Sequence, residues 1–151
     1  MQPWTYHTPG PTVDRFMLSD AFVRGIRGPI GSGKSTACCM EIYRRAREQA
    51  PNKAGTRATR WAIIRNTIPE LKSTTIKTWH QWFPQSVGSW RELGPTMHRI
   101  TASIPDDGTH FDMEVLFLGL DRPDDVSKLL SLELTGAWIN EAREVPRAVL
   151  E

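Results

Sequence analysis

The sequence predicts an α/β protein: a mostly parallel sheet flanked by helices, with an antiparallel hairpin added. Three observations predict it. Short apolar runs alternate with longer stretches of helical spacing, the pattern of strand–helix–strand units. A glycine-rich octapeptide, GPIGSGKS (28–35), stands between one such run and one such stretch. Asp106-Asp107-Gly108 separates two further runs and is a strong hairpin signal.

Residues 1–20 are rich in Pro, Thr and Gly and read as an irregular lead-in. Ala21–Arg27 (AFVRGIR) is a short strand candidate running into the glycine-rich stretch. Lys34 to Ala50 reads as a helix, because Cys39, Tyr43, Ala46 and Ala50 recur at helical spacing and Pro51 ends the run. Arg44, Arg45 and Arg47 fall mostly off that stripe and read as a solvated face. Asn52–Thr59 is a polar, basic loop, and Trp61–Arg65 (WAIIR) is a second strand. Pro69 to about Phe83 is helical in pattern, with Leu71, Ile76 and Trp79 as core positions. Met97–Ile104 and His110–Leu118 form the hairpin. Pro123–Leu130 is a short helix and Ala137–Asn140 (AWIN) a short strand. Another helix starts at Glu141. Residues 21–151 thus form one domain behind the lead-in.

At 151 residues the chain can build one core but hardly two. No apolar run approaches the roughly 20 residues of a membrane helix, and the N-terminus lacks the basic-then-apolar pattern of a secretory signal. A cytoplasmic setting is expected, and the adjacent Cys38 and Cys39, about 100° apart on a helix, are poorly placed to bridge each other. Charge is asymmetric: residues 1–75 carry 12 Lys/Arg against 5 Asp/Glu, and residues 76–151 carry 7 against 12. The basic half is either a polyanion-facing surface or unevenly distributed solvated charge. His7, His80, His98 and His110 have no metal-ligand spacing and read as ordinary surface or core histidines. Trp79 and Trp82 lie near Lys77, so they either pack in the core or stack on nucleic acid.

Gly28-Pro29-Ile30-Gly31-Ser32-Gly33-Lys34-Ser35 matches GxxxxGK[ST] in full. Glycines let the backbone curl so that successive N–H groups face an anion. The following helix adds its positive end. Lys34 supplies a compact charge to the outer phosphates of a nucleoside triphosphate, and the Ser35 hydroxyl is a hard oxygen ligand for Mg2+. The expected fold is therefore a P-loop NTPase, and the expected ligands are ATP and magnesium.

Such a hydrolase needs carboxylates at the end of an apolar strand, and two sites compete. Val115–Leu118 leads through Gly119-Leu120 to Asp121, and Ala137-Trp138-Ile139 leads to Asn140-Glu141. The second is preferred, because Glu141 lies directly beyond the strand, where it could take a proton from water. Asn140 stands where Asp is usual; it can orient a magnesium-bound water but adds no charge. The alternative is that Asn140-Glu141 caps the next helix. Asp121-Arg122-Pro123 reads well as a turn.

Four stretches together resemble the ATPase domain of large terminase subunits, the motors that pump double-stranded DNA into phage capsids. They are FMLSDAFV (Phe16–Val23), GIRGPIGSGKST (Gly25–Thr36), AIIRNTIPELKSTTIKTW (Ala62–Trp79) and FLGLDRPDDVSKLLSLELTGAWINEAREVP (Phe117–Pro146). The last is the most telling, since LTGAWINEAREV is similar to the acidic-strand motif of tailed-phage terminases. The resemblance implies that Gly28–Thr36 cradle ATP, that Lys34 and Glu141 are catalytic, and that Ser35 and Asn140 stand at the metal. It places the lead-in around Phe16–Ser19 near the adenine and gives Arg65 a recurrent position of unassigned role. It also implies double-stranded DNA, a capsid portal and a small terminase subunit as partners, a homo-oligomeric ring, and location in the host cytoplasm, transiently on the procapsid. Ile30 departs from the basic residue many terminases carry inside the loop. No arginine precedes the acidic strand as a trans-acting finger; Lys128, Arg122, Arg99 and Arg143 are possible substitutes.

The chain ends about ten residues beyond Glu141. The resemblance implies a further strand and a nuclease domain after that point, so the sequence is expected to be an N-terminal part of the motor. Two other readings stand beside hydrolysis for packaging: a non-hydrolysing nucleotide-binding or assembly module, and another ATPase of the same class, such as a helicase.

Overall fold

The computed structural model describes residues 5–150. A first helix, α1 (Pro11–Leu18), precedes the glycine-rich loop, and α2 (Lys34–Glu48) follows it. β1 (Thr56–Arg65) leads into α3 (Ile68–Glu70), a π-helical turn (Leu71–Thr75) and α4 (Ile76–Trp82). Then come β2 (Ser89–Arg91), β3 (Thr96–Ile104), β4 (Thr109–Gly119), α5 (Pro123–Leu130), β5 (Gly136–Ile139), a 3-10 turn (Ala142–Glu144) and α6 (Arg147–Leu150). No helix among the described residues is long and apolar enough to cross a membrane.

The α/β class holds, with one five-stranded sheet in the order β2-β3-β4-β1-β5. The expectation of a mostly parallel sheet is corrected to an evenly mixed one. β1 pairs in parallel with β4 and β5, whereas β2–β3 and β3–β4 are antiparallel. The hairpin causes this: it places its second strand, β4, centrally rather than at an edge. Its register is Thr96↔Phe117 through Ile104↔Thr109.

Ala21–Arg27 forms no strand, which corrects the expected strand before the loop. β5 occupies the sheet edge beyond β1, and the 21–27 stretch pairs with neither. Phe22 and Val23 are fully or largely exposed. An apolar run becomes a strand only when a neighbour takes up its N–H and C=O groups. Conversely, part of the lead-in is helical: Pro11 sits in the first turn of α1, where its missing N–H costs nothing.

One face of the sheet carries the core. Trp61, Ile63, Phe111, Met113, Val115 and Phe117 pack against Cys39, Met40 and Ala46 of α2 and against Leu71, Ile76, Trp79 and Phe83. Trp79 is fully buried, with Phe83 at 4.3 Å between ring centroids, so it packs rather than stacks on nucleic acid. The opposite face is polar toward the start of β1, where cross-strand ion pairs join Arg60 to Glu114 and Arg99 to Asp112. α2 buries six consecutive residues, Ala37 to Ile42. That is broader than the stripe read from sequence, because the helix meets the sheet and α4 on one side and α1 on another. Cys38 and Cys39 are free and buried, and burial pushes the Cys38 thiol up to about 12 and that of Cys39 higher still. Neither is a thiolate at neutral pH.

Candidate nucleotide site

The direction of α2 places the glycine-rich loop. Arg57 at the start of β1 donates to the carbonyl of Gln49, just past the end of α2 (2.6 Å), and the Asn52 N–H bonds the Thr56 carbonyl. The C-terminal end of α2 therefore meets the first residues of β1, and the helix runs back along the sheet. Its 15 residues span about 22 Å, which carries Lys34 toward the end of the sheet where the parallel strands finish. Arg65, Gly119 and Ile139 end β1, β4 and β5 at that side, so the loop, Asp121 and Asn140-Glu141 share one end of the molecule. Crevices outside the carboxyl ends of parallel strands are the usual ligand sites of open α/β sheets.

Within the loop, Gly31 (φ 78°) and Gly33 (φ 81°) adopt the left-handed conformation that side chains resist. A Cβ on Gly33 would also come to 3.1 Å from Pro9 Cγ, and one on Gly28 to 3.0 Å from Ser32 Oγ. Two of the loop's three glycines, Gly31 and Gly33, are thus required by backbone conformation, and the third, Gly28, sits against Ser32. Lys34 Nζ donates to the carbonyls of Gly28 and Pro29, both at 2.8 Å, and more loosely to Ser32 Oγ at 3.4 Å. The ammonium lies over the loop, held by groups that an incoming anion can outcompete. Ile30 is fully exposed at the loop's tip. Ser35 and Thr36 begin the helix behind Lys34.

A cavity of about 300 Å³ opens beside the loop, between Pro9–Val13 on one side and Ile26–Pro29, Ser32 and Lys34 on the other. The lead-in residues that line it are Pro9 to Val13. Phe16–Ser19 instead tie the lead-in to α2. Arg24 lies over the Phe16 ring at 5.1 Å and donates to the Phe16 carbonyl, while the carbonyls of Met17 and Ser19 accept from Arg44 and Arg45. All three arginines converge on Glu41, with Arg24 and Arg45 at 2.7 Å and Arg44 at 2.9 Å. Burial alone would push the Glu41 carboxyl up, but the hydrogen bonds from Arg44, Arg45 and Arg24 prevail and hold it below the usual range. The solvated face expected for Arg44 and Arg45 is therefore an ion-pair knot around a buried carboxylate. Arg44 also pairs with Glu48 and Arg45 with Asp20; with Arg57 on Asp107 and Arg60 on Glu114, five arginines of the basic half are ion-paired within the chain.

The two carboxylate candidates differ sharply. Asp121 Oδ2 accepts from the Ile68 backbone N–H at 2.8 Å, so it braces the end of β4 against the start of α3. Glu141 lies beyond β5 with its side chain 37% exposed, and Arg143 Nε at 3.5 Å is its ion-pair neighbour. It is the one non-glycine residue among those described with positive φ (φ 54°, ψ 55°). That conformation costs an L-residue roughly 1–2 kcal/mol and concentrates at functional sites. Asn140 does not cap the following turn: its Nδ2 donates to Thr75 Oγ1 at 2.8 Å, and its N–H bonds the Ile64 carbonyl. Arg65 reaches back to the π turn, donating to Thr74 Oγ1 at 2.8 Å, with Glu144 at 3.8 Å. Its Nε is buried with no hydrogen-bond partner among the described residues. The contribution of the π turn was missed from sequence, since Leu71–Thr75 keeps an ordinary helical spacing; the run of Ser73, Thr74 and Thr75 was its only mark.

No three His, Cys, Asp or Glu side chains among the described residues gather closely enough to hold a metal ion. The Ser35 hydroxyl is the hard oxygen that would hold magnesium in company with a nucleotide, since Mg2+ commonly takes few protein ligands beside phosphates. No family model, curated protein or solved structure matches this chain.

Proposed function

We propose that this chain is a P-loop ATP-binding and ATP-hydrolysing domain, and that it serves as the ATPase part of a large-terminase-like motor packaging double-stranded DNA. The observation that carries the reading is the loop itself. Eight residues matching the phosphate-loop pattern curl through two left-handed glycines at the start of a 15-residue helix, with the lysine ammonium folded over them. Gly28 to Thr36 hold the phosphates, Lys34 neutralises the charge that develops on transfer, and Ser35 supplies the protein's oxygen to magnesium. Magnesium, when bound, withdraws charge from the phosphate oxygens. Glu141, at the same end of the sheet and held in a strained turn, accepts the proton of the attacking water. DNA, portal and small-subunit contacts, ring assembly and a place in the host cytoplasm follow from the terminase resemblance.

The test is calorimetric and kinetic. Mg-ATP should bind the wild type, Lys34→Ala should lose that binding, and Glu141→Gln should keep binding while hydrolysis collapses. Binding unaffected by Lys34→Ala would sink the proposal. The second reading, a nucleotide-binding module that does not hydrolyse, is favoured by the neutral Asn140 and by the Arg143 contact that occupies Glu141. It requires that Glu141→Gln leave both binding and a negligible turnover unchanged.

A further inference from the structure

The turn that carries Glu141 is held at both ends, at its start by Thr75 directly and at its far end by Arg65, which is itself bonded to Thr74. At its start, Asn140 Nδ2 donates to Thr75 Oγ1 at 2.8 Å. At its far end, Glu144 lies 3.8 Å from Arg65, whose other nitrogen donates to Thr74 Oγ1 at 2.8 Å. The turn closes on itself through the Glu144 N–H, which bonds the Glu141 carbonyl at 2.9 Å. Between the two grips sits Glu141, the residue in left-handed conformation. Thr74 and Thr75 both belong to the π turn (Leu71–Thr75), where the backbone departs from α geometry. Thr75 is 1% exposed, so its hydroxyl, rather than water, is what meets the Asn140 amide. Single π turns inside helices are rare and frequently lie at functional sites.

We infer that Thr75 is a positioning residue for Glu141, acting through Asn140, and that the π turn fixes where the Glu141 carboxylate points. The inference rests on the hydrolase reading above, and it goes beyond it by assigning Asn140 a partner in the protein in place of the metal.

Three variants test it, with steady-state Mg-ATP hydrolysis and thermal unfolding measured on each. Thr75→Val keeps the shape and removes the acceptor. It should lower kcat roughly 10- to 100-fold, the scale of loss from a misplaced catalytic group, with KM within about twofold of wild type. Thr75→Ser should restore most of the rate. Asn140→Ala breaks the same bond from the partly exposed side, so it remains informative if the buried valine prevents folding. It should reproduce the kcat loss without changing the magnesium concentration that gives half-maximal rate. An unchanged kcat in Thr75→Val, or an Asn140→Ala defect that excess magnesium repairs, overturns the inference and leaves the hydrolase reading standing. Absence of wild-type turnover, or full turnover in Glu141→Gln, overturns the hydrolase reading itself and this inference with it.

Discussion

The two halves of this molecule are held by different forces. On the β4–β1 side, order comes from packing: Trp79, Phe83, Ile63, Met113 and Val115 are essentially sealed from water, and each strand there is hydrogen-bonded on both sides. On the side of the glycine-rich loop, residues 19–33 have no strand neighbour. Leu18, Phe22, Val23 and Ile30 are exposed. What fixes that side is a charge knot, with Arg24, Arg44 and Arg45 on Glu41 and the carbonyls of Phe16, Met17 and Ser19 on the arginines. Packing makes the first half depend less on charge than the second, although ion pairs cross its outer face. The second half depends on a few directional contacts, and so can rearrange around a ligand at small cost.

Cutting into the packed half should have the largest effect. Trp79→Ala removes the fully buried ring that touches Phe83, His98 and Phe117. The loss should be about 3–5 kcal/mol in denaturant unfolding, with hydrogen-exchange protection falling across the whole sheet. A loss below about 1 kcal/mol, or one confined to α4, would mean that the core is not cooperative as described.

Cutting the charge knot should cost less and act locally. Glu41→Gln leaves three arginines facing a neutral amide. Hydrogen bonds to charged groups contribute about 1.5–3 kcal/mol, and the arginine side chains are 20–34% exposed, so a loss of about 1–2 kcal/mol is expected after screening. Exchange protection should fall in α1 and the first turns of α2, not in β4. Because the folded pKa of Glu41 is depressed, its contribution is complete above the ordinary glutamate range near 4.3. It is lost as pH falls through the folded value. The wild type should therefore lose stability below about pH 4.5 more steeply than Glu41→Gln does.

The same division explains what was legible in the sequence. The hairpin was legible because its signals are local: Asp106-Asp107-Gly108 and the runs around it sit within about 20 residues. The short helix at Pro123–Leu130 was legible for the same reason. The glycine-rich loop was legible because its glycines answer to backbone geometry rather than to neighbours. Ala21–Arg27 misled because strand formation depends on a partner edge, which composition does not reveal. β1 proved longer than WAIIR, starting at Thr56, because its polar first residues pair with β4. At the candidate site, the position of Glu141 beyond β5 followed from the apolar run before it, whereas the Thr75–Asn140 bond joins residues 65 apart in sequence and leaves no periodic trace.

The smallest expected effect sharpens the comparison from within the packed half, where one polar group is buried beside the aromatic rings. His98 is fully buried; its Nδ1 accepts from Trp79 Nε1 at 2.9 Å, and its Nε2 lies 2.6 Å from the Val87 carbonyl. Both contacts are satisfied together only by the neutral ring protonated at Nε2, because an imidazolium would turn a second N–H toward the Trp79 donor. Burial lowers the His98 pKa, the Val87 carbonyl partly opposes this, and the nearby His80 lowers it further. A depressed folded pKa means that the unfolded chain takes up the proton first. Stability is thus complete above the ordinary histidine value of about 6.5 and declines as pH falls through the folded value. Thermal unfolding between about pH 7 and pH 5 should show a shallow loss in Tm for the wild type. His98→Phe starts from a lower Tm, because Trp79 Nε1 and the Val87 carbonyl lose their partner, but it should be flat across that window. The window lies above the one set by Glu41, so the two slopes separate: the upper one belongs to the packed core and the lower one to the charge knot. An upper slope that survives in His98→Phe would assign it to another group.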